Sequence, residues 1–324
     1  MRRREFVGVM GSALAAPKYV IAQPAVVHRV AWLSLVDKEA GAAFLNPFVE
    51  GMAALGYQLG RNLMIDARYG DDSREKIERE AIEAAVLKPV LYATQGPALH
   101  AARKVAGETP VVFGFSGDPV LLGVAKSLAR PGGNYTGVTL MSYDLAGKRV
   151  ELMREILPKL KRLAVLSNPH HMGDMLELEA TQEAAKRYRL DLSHYPVSNA
   201  AEVERALQAI AAARAEAILA HPDGLMVRQG GVIAQFAIKH RIPAISGWAR
   251  FAEGGNLLTY GPNMAASYGR LAYFADRILR GTKPADLPVE LPSKLEMVIN
   301  LKSAKALGLT VPQSVLLRAD RVIE

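Results

Sequence analysis

Hydroxyl, carboxylate, imidazole and aromatic side chains recur in this chain directly after short apolar runs. Ser34 lies near the end of HRVAWLSL and Asp37 just beyond it, while Thr94 ends PVLYAT and Gln95 and Gly96 follow it. Phe115, Ser116 and Asp118 stand at the end of PVVFGFS. Later runs are followed in the same way by Asn168 and His170, by Ser198, by His221 and Asp223, and by Trp248. Ser142, Tyr143 and Tyr260 sit where the chain passes between its two halves. Thr94, Gly96 and Ser116 precede helices expected to begin near Pro97 and Pro119, and hydroxyls with free backbone N–H groups at a helix start suit a carboxylate. Asp118 and Asp223 have the charge to pair with an ammonium. Trp248, Tyr143, Tyr260 and Phe115 have the faces to sandwich an apolar or aromatic body. Together these groups would suit an amino acid or an aromatic acid. Each residue also has a plainer use. Asp118 serves equally as a helix cap, Asn168-Pro169 is a turn former, and Trp248 could pack a hinge. His170 and His171 are adjacent on a loop with no carboxylate at a recognisable spacing, so no metal site is expected there.

The elements that would position these residues alternate strand and helix. Residues 28–35, 62–70, 89–94, 110–116 and 134–140 read as strands. Between them, 46–57, 73–87, 97–107 and 119–130 read as helices, with Ser73 capping the second. The pattern restarts with a helix over 147–158. Strands at 162–168, 190–197, 216–222 and 242–248 then alternate with helices at 174–189, 200–214 and 225–241. Repeated βα order predicts an α/β fold with doubly wound parallel sheets, here in two lobes. The tail holds a strand at 256–263, a helix at 266–281 and a proline-rich strand-and-helix stretch at 283–309. That is too little for a third domain, and it is expected to return to the first unit and then to the second, making three crossings.

Composition removes several function classes. Half of the residues are apolar and 22% are charged, a balance that folds rather than one that stays disordered. There is no cysteine, so disulfides, thiol nucleophiles and thiolate metal sites are excluded. Of the net charge of +8, the first 23 residues supply +3, through Arg2, Arg3, Arg4 and Lys18 against Glu5. The remaining basic residues are interspersed with acids and show no nucleic-acid motif. The GxxxxGK[ST], GxSxG and HExxH patterns are absent, as is a GxGxxG loop placed after a strand. MRRREF followed by a Gly- and Ala-rich apolar stretch reads as a cleaved export leader over 1–23, with a twin-arginine-like pair at Arg3-Arg4. The mature chain is then expected in the periplasm.

The stretches FVEGMAALGYQLGRNLMIDARYG (48–70), GDPVLLGVAKSLARPGGNYTGVTL (117–140), AIKHRIPAISG (237–247), YGPN (260–263) and the run from Ile278 to the C-terminus carry a resemblance across nearly the whole mature chain. The chain resembles the ABC-transporter substrate-binding proteins of the tryptophan/tyrosine type, which have a type I periplasmic-binding-protein fold. The resemblance implies two lobes joined by three hinge strands, divided as 24–141 plus 252–287 and 142–251 plus 288–324. It implies a monomer without cofactor, closing on a small carboxylate-bearing solute and delivering it to an ABC permease driven by a separate ATPase. The alternatives are a periplasmic ligand-sensing module and an enzyme on the same scaffold.

Overall fold

The structure is a computed structural model that describes residues 27–140, 143–171 and 173–324. The expected leader and Ser142 lie outside the described residues. The first lobe is built from β1 (His28–Ser34), α1 (Lys38–Ala54), β2 (Leu63–Tyr69), α2 (Arg74–Val86), β3 (Leu91–Gln95), α3 (Ala98–Val105), β4 (Val111–Phe115) and β5 (Tyr135–Thr139). Its sheet is parallel throughout, in the order β2-β1-β3-β4-β5. The period of two in β1 divides the core between the faces. Val30 and Trp32 pack with Phe48 and Met52 of α1, while Ala31 and Leu33 pack with Ile77 and Ala81 of α2 and with Leu99 of α3.

The second lobe contains α4 (Ala146–Ile156), β6 (Arg162–Ser167), α5 (Asp174–Arg187), β7 (Asp191–Pro196), α6 (Ala200–Ala212), β8 (Ala217–Ala220), α7 (Gly224–Arg228), α8 (Gly230–His240), β9 (Ala244–Ser246), α9 (Ala249–Glu253) and β10 (Leu258–Pro262). The chain continues through α10 (Met264–Leu279), β11 (Leu295–Asn300), α11 (Leu301–Leu307), α12 (Gln313–Leu316) and β12 (Arg321–Ile323). The second sheet runs β12-β11-β10-β9-β8-β6-β7, parallel except where β10 meets β11. No helix among the described residues is long and apolar enough to cross a membrane.

Four expected elements differ. The helix read from Asn46 begins at Lys38 instead, because the Asp37 carboxylate accepts from Ala40 N at 2.9 Å and caps it, leaving Pro47 inside the helix. Residues 119–130 form turns rather than a helix. Gly123 takes φ +74°, and the amides of Val124 and Ala125 both return to the Pro119 carbonyl. The single helix read over 225–241 is two, α7 and α8, meeting at Gln229. The strand read at 256–263 was expected in the first unit, but β10 pairs with β9 and β11 in the second sheet. The crossing back falls at Asn263, and the helix that follows, α10, packs against α1 and the first sheet.

The crossings are tied together. Asn263 N donates to Lys294 O at 2.9 Å, and Glu290 N donates to Gly137 O at 2.9 Å, seating the third crossing along β5. At the same end of β10, a Cβ at Gly261 would lie 2.3 Å from the Gly247 carbonyl oxygen. The crossing strand therefore approaches the β9 end more closely than any side chain allows. Gly261→Ala is expected to force the two strands apart at a cost of about 1–3 kcal/mol, read as a lower urea midpoint.

Candidate functional site

The carboxyl ends of the strands in both sheets face one cleft of about 1230 Å³, where open α/β sheets bind ligands. Asp37 lies there after β1, Asp72 and Arg74 after β2, Gln95 and Gly96 after β3, and Ser116 after β4. From the second lobe come Asn168, His170 and His171 after β6, Ser198 after β7, Asp223 and Arg228 after β8, and Trp248 after β9. Phe44 of α1, Tyr268 of α10 and Glu296 of β11 complete the wall.

Nine of the residues singled out from the sequence thus line the cleft: Asp37, Gln95, Gly96, Ser116, Asn168, His170, Ser198, Asp223 and Trp248. Seven others do not. Ser34 is buried and donates through Oγ to Gln95 Oε1 at 3.1 Å, fixing that side chain, whose amide also neighbours the Tyr268 hydroxyl. Thr94 is buried, and its hydroxyl has no partner among the described residues. Phe115 turns edge-on to His100 within the core. Asp118 caps the turn after β4, accepting from Val120 N at 2.7 Å. Tyr143 opens a short 3-10 turn, Tyr260 packs on the second lobe's core, and His221 is buried beneath the cleft floor.

The helix-start chemistry is narrower than the sequence suggests. No helix forms at Pro119. At α3, Gly96 N already donates to Gly114 O, and the amides of Leu99 and His100 close turn bonds to Gly96 and Pro97. The polar offer at this end of the cleft therefore centres on Gln95. The carboxylates are largely occupied as well. Asp223 accepts from Met226 N at 2.8 Å and from Asn168 Nδ2 at 2.6 Å. Each carboxylate oxygen keeps a second lone pair, so capping and solute contact are compatible.

The aromatic wall is made differently from the expectation. Trp248 lines the cleft from the second lobe, and the other rings in the lining are Phe44 and Tyr268 of the first, whose centroids lie 4.8 Å apart at 58°. Tyr268 donates through its hydroxyl to Gly114 O at 3.1 Å, and burial pushes its pKa well up, so it stays a neutral donor. Neither follows a strand: Phe44 lies ahead of the helix expected over 46–57, and Tyr268 lies within the helix expected over 266–281. Asp72 could have been found, because it follows β2 as the other candidates follow their strands.

Under the floor of the second lobe runs a buried polar chain. Ser167 Oγ bonds Asp174 Oδ2 at 3.0 Å and meets His194 Nε2 at 2.8 Å. His221 joins Asp174 at 3.1 Å and Thr181 at 3.2 Å. Ser167 and His221 immediately precede the loops that carry Asn168 and Asp223, so this chain holds those loops in place. Burial lowers the His194 pKa from its ordinary 6.5, the nearby Asp174 carboxylate only partly opposing this. The unfolded chain then binds the proton first as pH falls, and stability must fall with it through about 6.5. His194→Gln is expected to flatten this acid slope, measured as urea midpoints between pH 7.5 and 5. His100, lowered chiefly by burial, contributes a slope of the same sign. Among the described residues, no three His, Asp or Glu side chains converge as a metal-binding group.

A two-lobed α/β molecule with its strand ends turned onto a shared cleft has the architecture of a solute-binding protein. The family model described as ABC transporter substrate binding protein matches residues 29–323, and the chain belongs to that family. It is 25% identical over 267 residues to a tyrosine-binding protein of Clostridioides difficile, covering 81% of this chain and 75% of the relative. A conserved domain protein of Vibrio cholerae superposes with a TM-score of 0.85 at 26% identity, covering 91% of this chain and 99% of that one. An ABC domain from Streptococcus pneumoniae, solved in complex with L-Trp, superposes with a TM-score of 0.82 at 23% identity, covering 92% of this chain and all of that one.

Proposed function

We propose that this chain is the extracytoplasmic solute receptor of an ABC importer and that its cleft takes a small carboxylate-bearing solute with an apolar body, an aromatic amino acid above all. The observation that carries this reading is the composition of the cleft. Its lining joins aromatic rings from both lobes, Phe44 and Tyr268 of the first and Trp248 of the second, with the polar strand-end residues Gln95, Asp37, Asn168 and Asp223. Such a site buries an aromatic body while fixing a charged head group by a few placed polar atoms. The tyrosine-binding relative and the L-Trp complex support the same solute class. Closure of the lobes would hold the solute, and the closed form would dock on a membrane permease worked by a separate ATPase.

The test is ligand-dependent melting of residues 24–324, unfolded and refolded first to strip any carried solute. The panel is aromatic and branched amino acids with aryl carboxylates. A true solute at 100 times its Kd adds about 2.7 kcal/mol of stability. Stabilisation by one of these classes, without chemical change to the compound, is the expected result. A well-folded protein indifferent to all of them would remove the carboxylate assignment.

A further inference from the structure

Two side-chain bridges span the cleft directly, with no solute atom needed between their partners. Asp72, after β2 in the first lobe, pairs with Arg228 of α7 in the second at 2.9 Å. Ser116, after β4 in the first lobe, meets His171 Nε2, after β6 in the second, at 2.6 Å. All four residues line the cleft. In the first sheet, β2 and β4 are separated by β1 and β3, so the fasteners stand roughly 14 Å apart, three strand spacings. Asp37, Gln95 and Gly96, on the strands between, lie inside that span.

We propose that these two bridges form a latch that sets the open–closed equilibrium of the lobes, and through it solute affinity. The proposal builds on the solute-receptor reading. A contact made only between the lobes favours the closed form whether or not a solute is held. The solute's own preference for the closed form then need not supply the whole free energy of closure. The local structure suits the role. Asp72 holds its side chain from a left-handed backbone at φ +62°, a conformation Asp tolerates. Arg228 ends a five-residue helix capped by Asp223, so the cleft floor and the fastener share one element. Neither pair is deeply buried, which keeps it breakable. An exposed ion pair and one hydrogen bond together change the closed-to-open ratio by roughly five- to thirtyfold.

The absence of native cysteine allows a clean test. Ile82→Cys on exposed α2 and Gln208→Cys on exposed α6 place one spin label on each lobe. In stripped, solute-free protein, the latch predicts a short, narrow inter-label distance. Ser116→Ala with Arg228→Ala should lengthen and broaden it, and solute should dissociate roughly tenfold faster from that variant. Asp72→Gly, which keeps the left-handed backbone, should reproduce the Arg228→Ala shift, and the two together should add nothing further. Identical distance distributions for latched and unlatched proteins would overturn the proposal, as would independent additive shifts from Asp72 and Arg228. Because the distance is read without solute, a failed latch is distinguishable from a wrong solute assignment.

Discussion

Arg149→Met is expected to cost about 3–5 kcal/mol of stability, the typical loss when one partner of a buried ion pair is removed. Arg149 is fully buried, and its guanidinium pairs with Glu177, itself 2% exposed. Its Nε donates to Tyr260 O at 2.8 Å, so one side chain joins α4, α5 and the strand leading to the second crossing. Burial pulls its pKa down and the Glu177 carboxylate opposes this, which makes the pair interdependent. Methionine fills much of the space but leaves the Glu177 carboxylate in the core without its partner. Arg149→Met with Glu177→Gln should therefore recover most of the loss in urea unfolding. A single variant as stable as the parent would contradict this account of the pair. Arg149 also reaches the cleft indirectly: a Cβ at Gly247 would stand 2.6 Å from Nη2. The guanidinium thus occupies the space behind the residue that precedes Trp248.

Trp248→Ala is expected to weaken solute binding by about thirtyfold or more, the effect of removing an aromatic anchor worth at least ~2 kcal/mol. Trp248 is half-buried beside the cleft, and its Nε1 finds no acceptor among the described residues. Its ring supplies apolar surface, and no protein acceptor competes for its N–H. Trp248→Phe should restore much of the affinity, and neither change should alter stability as Arg149→Met does. Equal affinity in the alanine variant, measured by titration calorimetry, would move the aromatic contact to Phe44 and Tyr268 alone.

The lobes were legible because buried parallel strands leave continuous apolar runs. Leu91–Gln95 and Val111–Phe115 are buried along their whole length, and the segments between them carry helical periodicity. The same apolarity misled at 119–130. Val124 and Ala125 are buried against the first lobe's core from a looped backbone, which periodicity cannot distinguish from a helix face. The crossing strand was misplaced because β10 is sequentially joined to α10 but laterally bonded to β9, and only pairing partners reveal the sheet to which a strand belongs. At the cleft, the rule that lining residues follow strands located Asp37, Gln95, Asn168, Asp223 and Trp248. It could not say which side chains the backbone had already claimed, as it did at Asp118, nor find aromatic faces supplied by helices. The latch pairs join residues 156 and 55 positions apart in sequence, Asp72 with Arg228 and Ser116 with His171, and nothing local marks them.

The central claim, a solute held between the lobes against Trp248, has a direct optical test. The chain contains two tryptophans, and Trp32 is fully buried in the first lobe beside Phe48. Trp32→Phe therefore leaves Trp248 as the sole indole reporter. Titrating stripped protein with L-tyrosine, L-phenylalanine or L-leucine should give a saturable change in Trp248 emission over the same concentrations that raise the melting temperature. Stabilisation by a solute that leaves Trp248 emission unchanged would place that solute elsewhere and contradict the account.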